Sequence, residues 1–241
     1  MCIVLVVGAG YGVIELGHRY LGFHKLIIEQ VTISGCCGKR LTQAQKIADE
    51  LCLGKSLFWF DAEKLRVSLK SKRWVKGLII RRDPPDRLSL VIEERRPVIW
   101  LVRQGGVFLV SDDGIVLDRL SNDIVGSSPI PVVADLKSQD DGPMVQLICA
   151  ATSLRDKQKE FYDRLTELRW SDHGPIAFLE GLEVPIYLSK KDATKNIPNF
   201  QMLFLNELCK RSDIAQLRYI DLRWDEEIAI GEPLDSQSLK K

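Results

Sequence analysis

Residues 56–100 read SLFWFDAEKLRVSLKSKRWVKGLIIRRDPPDRLSLVIEERRPVIW, and this stretch decides the fold of the N-terminal half. Asp61 is a favoured helix-capping residue, and apolar side chains follow it at helical spacing. An apolar segment with strand character runs from Val75 to Arg82, and the turn sequence DPPD follows it. The next segment alternates apolar and polar side chains, with Leu88, Leu90 and Ile92 on one face. The pattern therefore predicts a helix followed by two neighbouring strands.

The residues upstream add a strand and a second helix to this unit. Residues 27–34 are mostly apolar and β-branched, which predicts a strand that ends in the turn sequence GCCG. Thr42 is followed three positions later by Gln45, the pattern of a capping box, and apolar residues then recur at helical spacing. We therefore expect residues 26–97 to form a β-α-α-β-β module, with a three-stranded sheet covered by two helices.

Together, the segments VTISG (residues 31–35) and 56–100 resemble the POTRA domain and exit strand of the FtsQ/DivIB family of bacterial cell-division proteins. The positions that match this family's pattern sit at predicted packing and turn sites, so we expect structural roles for them. They are Trp74, Val75, Pro85, Leu88, Glu94, Arg95 and Pro97.

Within residues 98–232 the pattern changes to short apolar segments separated by turn residues, which predicts a second domain built of short strands. We expect strands at 98–102, 107–111, 115–117, 165–170, 176–179, 182–188 and 217–224, and a helix at 196–210. The strings GGVFLVSDDGIV (105–116) and YIDLRWDEEIAIG (219–231) are similar to motifs of the same family. The expected fold class is α+β, with the POTRA domain followed by a mainly antiparallel β domain with flanking helices. Residues 233–241 are polar and predict a disordered tail.

The first 22 residues allow two interpretations. Residues 1–14 are apolar or small, which is shorter than the roughly 20 residues of a membrane-spanning helix, so we expect a partial transmembrane segment at 1–22. The alternative is a dinucleotide-binding loop, because GAGYG at 8–12 follows a strand-like run and Glu29 comes about 20 residues later. That fingerprint requires a third glycine at the position of Val13, which weakens the alternative.

Charge and cysteine content exclude several classes of function. The net charge of +1 provides no basic field for nucleic acid, although residues 26–97 hold 15 Lys and Arg against 9 Asp and Glu. This basic module would lie close to anionic lipid if the N-terminus is in a membrane. The six cysteines form no CxxC pair, so a zinc site is not expected, and any disulfide pairing stays open.

No motif indicates catalysis. There are three histidines, and neither a GxSxG, an HExxH nor a P-loop sequence occurs. We therefore expect no enzyme activity, no cofactor, no metal and no small-molecule substrate.

The resemblance instead implies a scaffold in the division machinery of the bacterial cytoplasmic membrane, single-pass, with most of the chain periplasmic. Its implied partners are the coiled-coil division proteins FtsB and FtsL and, later, septal cell-wall synthesis proteins. We expect docking by strand addition near an antiparallel terminal strand, with Arg223 and Trp224 matching the family's Arg-Tyr pair. Tyr219 and Glu226 complete the expected contact set. Glu226 and Glu227 replace the family's small or turn residues, which favours acidic recognition of the partner.

A second hypothesis is a POTRA-bearing chaperone for outer-membrane proteins. Such proteins normally continue into many alternating strands of a membrane barrel, and this sequence shows no such series. The scaffold hypothesis is therefore preferred.

Overall fold

The computed structural model describes residues 26–103, 105–119, 129–134, 142–225 and 227–232. These residues divide into two units, one ending at Arg95 and the other beginning at Arg96. The expectations for the segment 1–22, for the loop at 8–12, for the tail at 233–241 and for Glu226 fall outside the described residues. No helix within the described ranges is both long enough and apolar enough to span a membrane.

The first unit is the expected β-α-α-β-β module. Strand β3 lies in the middle of its sheet, parallel to β1 and antiparallel to β2. The elements are β1 (Gln30–Ser34), α1 (Gly38–Cys52), α2 (Ala62–Lys70), β2 (Val75–Asp83) and β3 (Arg87–Glu94).

The core of the first unit is formed where the two helices cover one face of this sheet. Leu88, Leu90 and Ile92 of β3 are fully buried, as their alternation predicted, and they share a cluster with Leu65 and Leu69 of α2. Helix α1 contributes small buried residues, Ala44, Ala48 and Cys52. The predicted cap of α2 is confirmed, because the Asp61 carboxylate accepts a hydrogen bond from the Lys64 main-chain N at 2.8 Å.

Two predicted boundaries in this unit were wrong. Strand β1 begins at Gln30, because Ile27 forms an isolated antiparallel bridge with Ser56 instead. Helix α1 begins at Gly38, so Thr42 lies inside the helix and its hydroxyl donates to the Gly38 carbonyl at 3.4 Å. A threonine in a helix interior can bond the carbonyl four residues back, which explains why its capping pattern was misleading.

The second unit contains a nine-stranded mixed sheet with the strand order β12-β11-β10-β9-β8-β7-β4-β5-β6. Most neighbouring pairs are antiparallel, as predicted, whereas the β4–β7, β7–β8 and β10–β11 pairs are parallel. The strands are β4 (Pro97–Arg103), β5 (Gly106–Ser111), β6 (Val116–Arg119), β7 (Val132–Val133), β8 (Leu165–Ser171), β9 (Gly174–Leu179), β10 (Leu182–Tyr187), β11 (Tyr219–Asp221) and β12 (Ala229–Gly231).

Three helices supply much of the core of this unit. They are α3 (Gly142–Lys157), α4 (Lys159–Tyr162) and α5 (Ile197–Asn206). Phe161 of α4 and Phe200 of α5 are buried and meet edge to face with ring centroids 6.0 Å apart. The buried hydroxyl of Tyr162 donates to the Val98 carbonyl at 2.8 Å, and burial raises the pKa of this tyrosine to about 12. Helix α3 was not predicted from the sequence.

The C-terminal strands differ from the prediction in length and in pairing. Residues 217–224 were expected to form one strand, but β11 covers three residues, Tyr219–Asp221. It is an internal strand, parallel to β10 on one side and antiparallel to β12 on the other. The prediction of an antiparallel terminal strand at this position was therefore wrong, and β12 is the strand at this end of the sheet. After Asp221 the main chain makes one more bond to β10, from Leu222 N to the Tyr187 carbonyl at 2.9 Å. The side chains of Arg223 and Trp224 then turn back to the buried Asp221 carboxylate.

Two glycines of the first unit provide a test of the fold. Gly35 has φ +87°, and a Cβ there would lie 2.0 Å from the Ile92 carbonyl oxygen, whereas Gly54 has φ +73° and open space around it. Gly54→Ala should cost about 1–2 kcal/mol for the left-handed backbone alone. Gly35→Ala should cost roughly 1–3 kcal/mol more, because the strand must shift to relieve the clash. Urea unfolding followed by circular dichroism measures both, and equal losses would contradict the assigned β1–β3 contact.

Candidate partner-binding surface

The carboxylate of Asp221 is buried at the end of β11 and organises the residues that follow it. Asp221 is 4 % exposed. It accepts hydrogen bonds from the main-chain N of Arg223 at 3.0 Å, and from Nε and Nη2 of the same residue at 2.8 and 2.6 Å. The indole Nε1 of Trp224 donates a fourth bond, at 3.2 Å. A buried charge is tolerated only when it is paired and hydrogen-bonded, and this arrangement meets both conditions.

Opposing effects act on the pKa of Asp221. Burial alone would raise it, but hydrogen bonds from the side chain and main chain of Arg223 outweigh burial, and the pKa lies below its ordinary value. The same hydrogen bond raises the pKa of Arg223. Both groups are therefore charged at neutral pH, and the ion pair persists across the physiological range.

Arg223 is held between this carboxylate and an aromatic pair. Its guanidinium carbon lies 5.2 Å from the ring centroid of Tyr187, which is a cation–π contact. The rings of Tyr187 and Tyr219 meet edge to face with centroids 6.0 Å apart. The Arg223 side chain is 29 % exposed, so part of it still faces solvent after these contacts are made.

Trp224 points outward at this corner. It is 58 % exposed, although its indole NH is held by Asp221. Asn196, which precedes α5 with φ 57°, donates from its side-chain amide to the main-chain carbonyls of Trp224 at 2.5 Å and of Glu227 at 3.2 Å. Lys195 also pairs with Asp225. The loop that carries Trp224 is thus attached to the residues before α5 through its main chain at Trp224 and Glu227 and through the Asp225 side chain.

Strand β12 forms the edge of the sheet next to this corner. It pairs with β11 on one side, and within the described residues no strand pairs with its other side. A Cβ at Gly231 would lie 2.6 Å from Cδ1 of Tyr219, so the absence of a side chain lets the two strands approach. Ala229 is exposed and Ile230 is half-buried. The edge therefore offers main-chain groups beside the exposed Ala229 side chain.

The structure brings three of the four predicted contact residues together. Tyr219, Arg223 and Trp224 lie around Asp221, whereas Glu226 is outside the described residues. Trp224 does not share the burial of Ile220 and Leu222, because β11 ends at Asp221 and the indole turns to solvent.

Sequence reasoning missed three residues of this surface. Asp221 sits two positions before Arg223, and same-face spacing of an acid and a base is a weak signal of an ion pair on a strand. Tyr187 and Asn196 come from distant parts of the chain, and no local pattern relates them to Trp224.

Two sequence-family models match this chain, in the order of its two units. The POTRA domain of FtsQ type matches residues 26–95, and the C-terminal domain of the cell-division protein FtsQ/DivIB matches residues 98–223. The chain belongs to the FtsQ/DivIB family of cell-division proteins. The resemblance noted in the sequence and the expected α+β fold class are both confirmed.

Several proteins named cell division protein FtsQ are similar in sequence to this chain. The protein of Geotalea daltonii is 22 % identical over 233 residues, covering 92 % of this chain and 80 % of that protein. The protein of Actinobacillus pleuropneumoniae is 25 % identical over 181 residues, covering 73 % of each chain. The protein of Bradyrhizobium diazoefficiens is 27 % identical over 160 residues, covering 58 % of this chain and 45 % of that protein.

The described part of the chain holds no group of three or more His, Cys, Asp or Glu residues that could bind a metal ion. Its cysteines are free thiols, namely Cys36, Cys37, Cys52, Cys149 and Cys209.

The pH dependence of stability tests the role of Asp221. Asp221→Asn should destabilise the second unit by about 1.5–3 kcal/mol at pH 7, because the partly buried Arg223 loses its counter-charge and its charge-assisted hydrogen bonds. The pKa of Asp221 is lowered on folding, so its contribution is complete above the ordinary carboxyl pKa of about 4 and is lost as pH falls below it. Urea unfolding of both proteins from pH 7 to pH 3 should show a constant difference down to about pH 5, and a shrinking one below about pH 4. A difference that is independent of pH would contradict the ion pair.

Proposed function

We propose that this protein is a non-enzymatic scaffold of the bacterial division machinery that binds FtsB and FtsL through the surface formed by Trp224, Arg223, Tyr219 and strand β12. The observation that carries the proposal is that Trp224 is 58 % exposed while its indole NH is held by a buried carboxylate. A large aromatic side chain held in one orientation loses little conformational entropy on binding, which is typical of residues that dominate interface energies.

The unpaired edge of β12 supports a specific mode of binding. An extended partner segment can add to a sheet edge through main-chain hydrogen bonds, and side-chain pockets beside the edge then provide specificity. Trp224 and Arg223 lie in the loop that connects β11 to β12. Trp224 is 58 % exposed and the Arg223 side chain 29 % exposed, so both can still contact a partner. Binding by strand addition requires no catalytic group, in agreement with a scaffold role.

Three acidic residues follow Trp224 in the sequence, and one of them, Asp225, pairs with Lys195. Asp225 and Glu227 are exposed, and Glu226 lies between them in the sequence. Such an acidic segment favours a partner segment that carries Lys or Arg, chiefly by steering association. This supports the earlier expectation that recognition here has an acidic character.

The proposed anchor is the apolar N-terminal segment at 1–22, which would hold the protein in the cytoplasmic membrane as a single span. Most of the chain would then be periplasmic and enriched at the division septum. From there the FtsB–FtsL pair, once bound, would bring septal cell-wall synthesis proteins to the site. Membership of the cell-division family supports this role.

Binding by Trp224 variants tests the surface directly. Trp224→Ala in the full chain should weaken binding to the extracytoplasmic segments of FtsB and FtsL of the same organism by at least about 30-fold, as for other interface hot spots. Trp59→Ala is the matched control, because Trp59 is 85 % exposed and lies in the first unit. Titration calorimetry in detergent measures both affinities, and thermal melts confirm that both variants fold. Equal affinities for the two variants would rule out Trp224 as a contact.

Hydrogen exchange tests the mode of binding. If the partner adds as a strand, main-chain amides of β12 (Ala229–Gly231) should exchange more slowly in the complex, because they gain hydrogen-bond partners or are excluded from water. Amides of β6 (Val116–Arg119), at the other end of the sheet, provide the internal control and should be unchanged. Binding that leaves β12 exchange unaltered would exclude strand addition at this edge.

A further inference from the structure

The first unit carries an exposed apolar patch that its core does not explain. Four side chains form what is here named the proximal patch: Ile27, Leu53, Phe58 and Trp59. They are 40 %, 41 %, 42 % and 85 % exposed, respectively. Trp59 is the most exposed of these side chains, although the neighbouring Leu57 and Phe60 are buried.

Main-chain hydrogen bonds hold the patch beside the first described residues of the chain. Ile28 N donates to the Lys55 carbonyl at 2.9 Å, and Gly54 N donates to the Ile28 carbonyl at 3.0 Å. Leu57 N donates to the Leu26 carbonyl at 2.8 Å, and Ile27 bridges Ser56. The loop at 53–59 is therefore attached to residues 26–28, directly after the proposed anchor.

Chain length limits how far this patch can lie from a membrane. From Gly22, the end of the proposed anchor, to Leu26 there are four residues, which span at most about 14 Å when fully extended. The headgroup region of one leaflet is about 5–8 Å thick. An anchor that ends at the bilayer surface therefore keeps the proximal patch at or near the lipid headgroups.

The chemistry of the patch also suits a lipid interface. Tryptophan prefers the boundary between headgroups and acyl chains, because its ring is apolar and its NH is polar. Cationic side chains lie beside it: Lys55 is exposed, and Arg82 donates from Nε to the Leu57 carbonyl at 3.0 Å with its guanidinium 5.1 Å from the Phe60 ring centroid. These cations can contact anionic headgroups.

We propose that the proximal patch lies in the interface of the anionic membrane that holds the anchor, so that Trp59 and Phe58 form a second, reversible membrane contact. This inference rests on the proposed function, because it requires the segment at 1–22 to be in lipid. Its consequence is that the first unit is held against the membrane surface near its N-terminal end by a second attachment in addition to the anchor.

Tryptophan fluorescence of the full chain tests this contact. The protein is reconstituted into vesicles of phosphatidylcholine and phosphatidylglycerol, with and without phospholipid brominated near the top of the acyl chain. Residues 1–25 contain no tryptophan, so the anchor itself cannot produce a signal. We expect partial quenching of the emission by the brominated lipid, because Trp59 is one of five tryptophans.

Two matched variants assign the quenching. Trp59→Phe keeps an aromatic ring in the patch but removes the fluorophore, so quenching should be lost. Trp224→Phe should retain the quenching of the unaltered protein. Quenching that persists in Trp59→Phe would overturn the inference, because another tryptophan would then be the one in contact with lipid.

Vesicle flotation separates this inference from the proposed function. If the chain floats with vesicles after a high-salt wash but shows no quenching, its anchor is in lipid and the proximal patch is not. That result would overturn the present inference alone. A chain that does not float would overturn both the anchor and the lipid contact.

Discussion

The buried charge of Asp221 is the constraint on which the C-terminal end of the large sheet depends. Burying a carboxylate is costly, so its hydrogen-bonding capacity must be satisfied, and the next residues along the chain satisfy it. Arg223 provides main-chain and side-chain donors, and Trp224 provides its indole NH. The side chains that meet this requirement turn back to Asp221 directly after β11, and the indole stays exposed. An interaction that stabilises the fold thereby also creates the exposed surface proposed to bind FtsB and FtsL.

The two proposed contact surfaces use different physical means. The surface at Trp224 combines an unpaired strand edge with an aromatic side chain held in place, which suits a directional contact with one protein segment. The proximal patch has exposed apolar side chains and neighbouring cations but no strand edge in its loop, which suits a lipid surface without defined register. A scaffold with one surface of each kind would be positioned at the membrane by the first unit and would bind its partners with the second.

Much of the first unit could be predicted from local pattern. The alternation of Leu88, Leu90 and Ile92 and the cap at Asp61 both correspond to what is observed. Prediction was less successful where one local pattern fits two structures. Thr42 could cap a helix or lie inside one, and its hydroxyl in fact bonds the Gly38 carbonyl within α1. Helix α3 was missed although its buried residues Met144, Leu147, Ile148, Ala151 and Leu154 recur at helical spacing. Apolar side chains such as Val145 and Cys149 also lie on its exposed face, which weakens the contrast between the two faces in the sequence.

The sequence by itself determined the order of the two domains, the fold class, the family and three members of the candidate surface, because these depend on short-range periodicity, turn residues and motifs. Only the tertiary structure decided that β11 is internal and partly parallel, that Trp224 faces solvent, and that Tyr187 and Asn196 contribute to the surface. The physical reason is sequence separation. Strand order, and the partners of a buried charge, depend on residues brought together from distant positions, and no local pattern records those contacts.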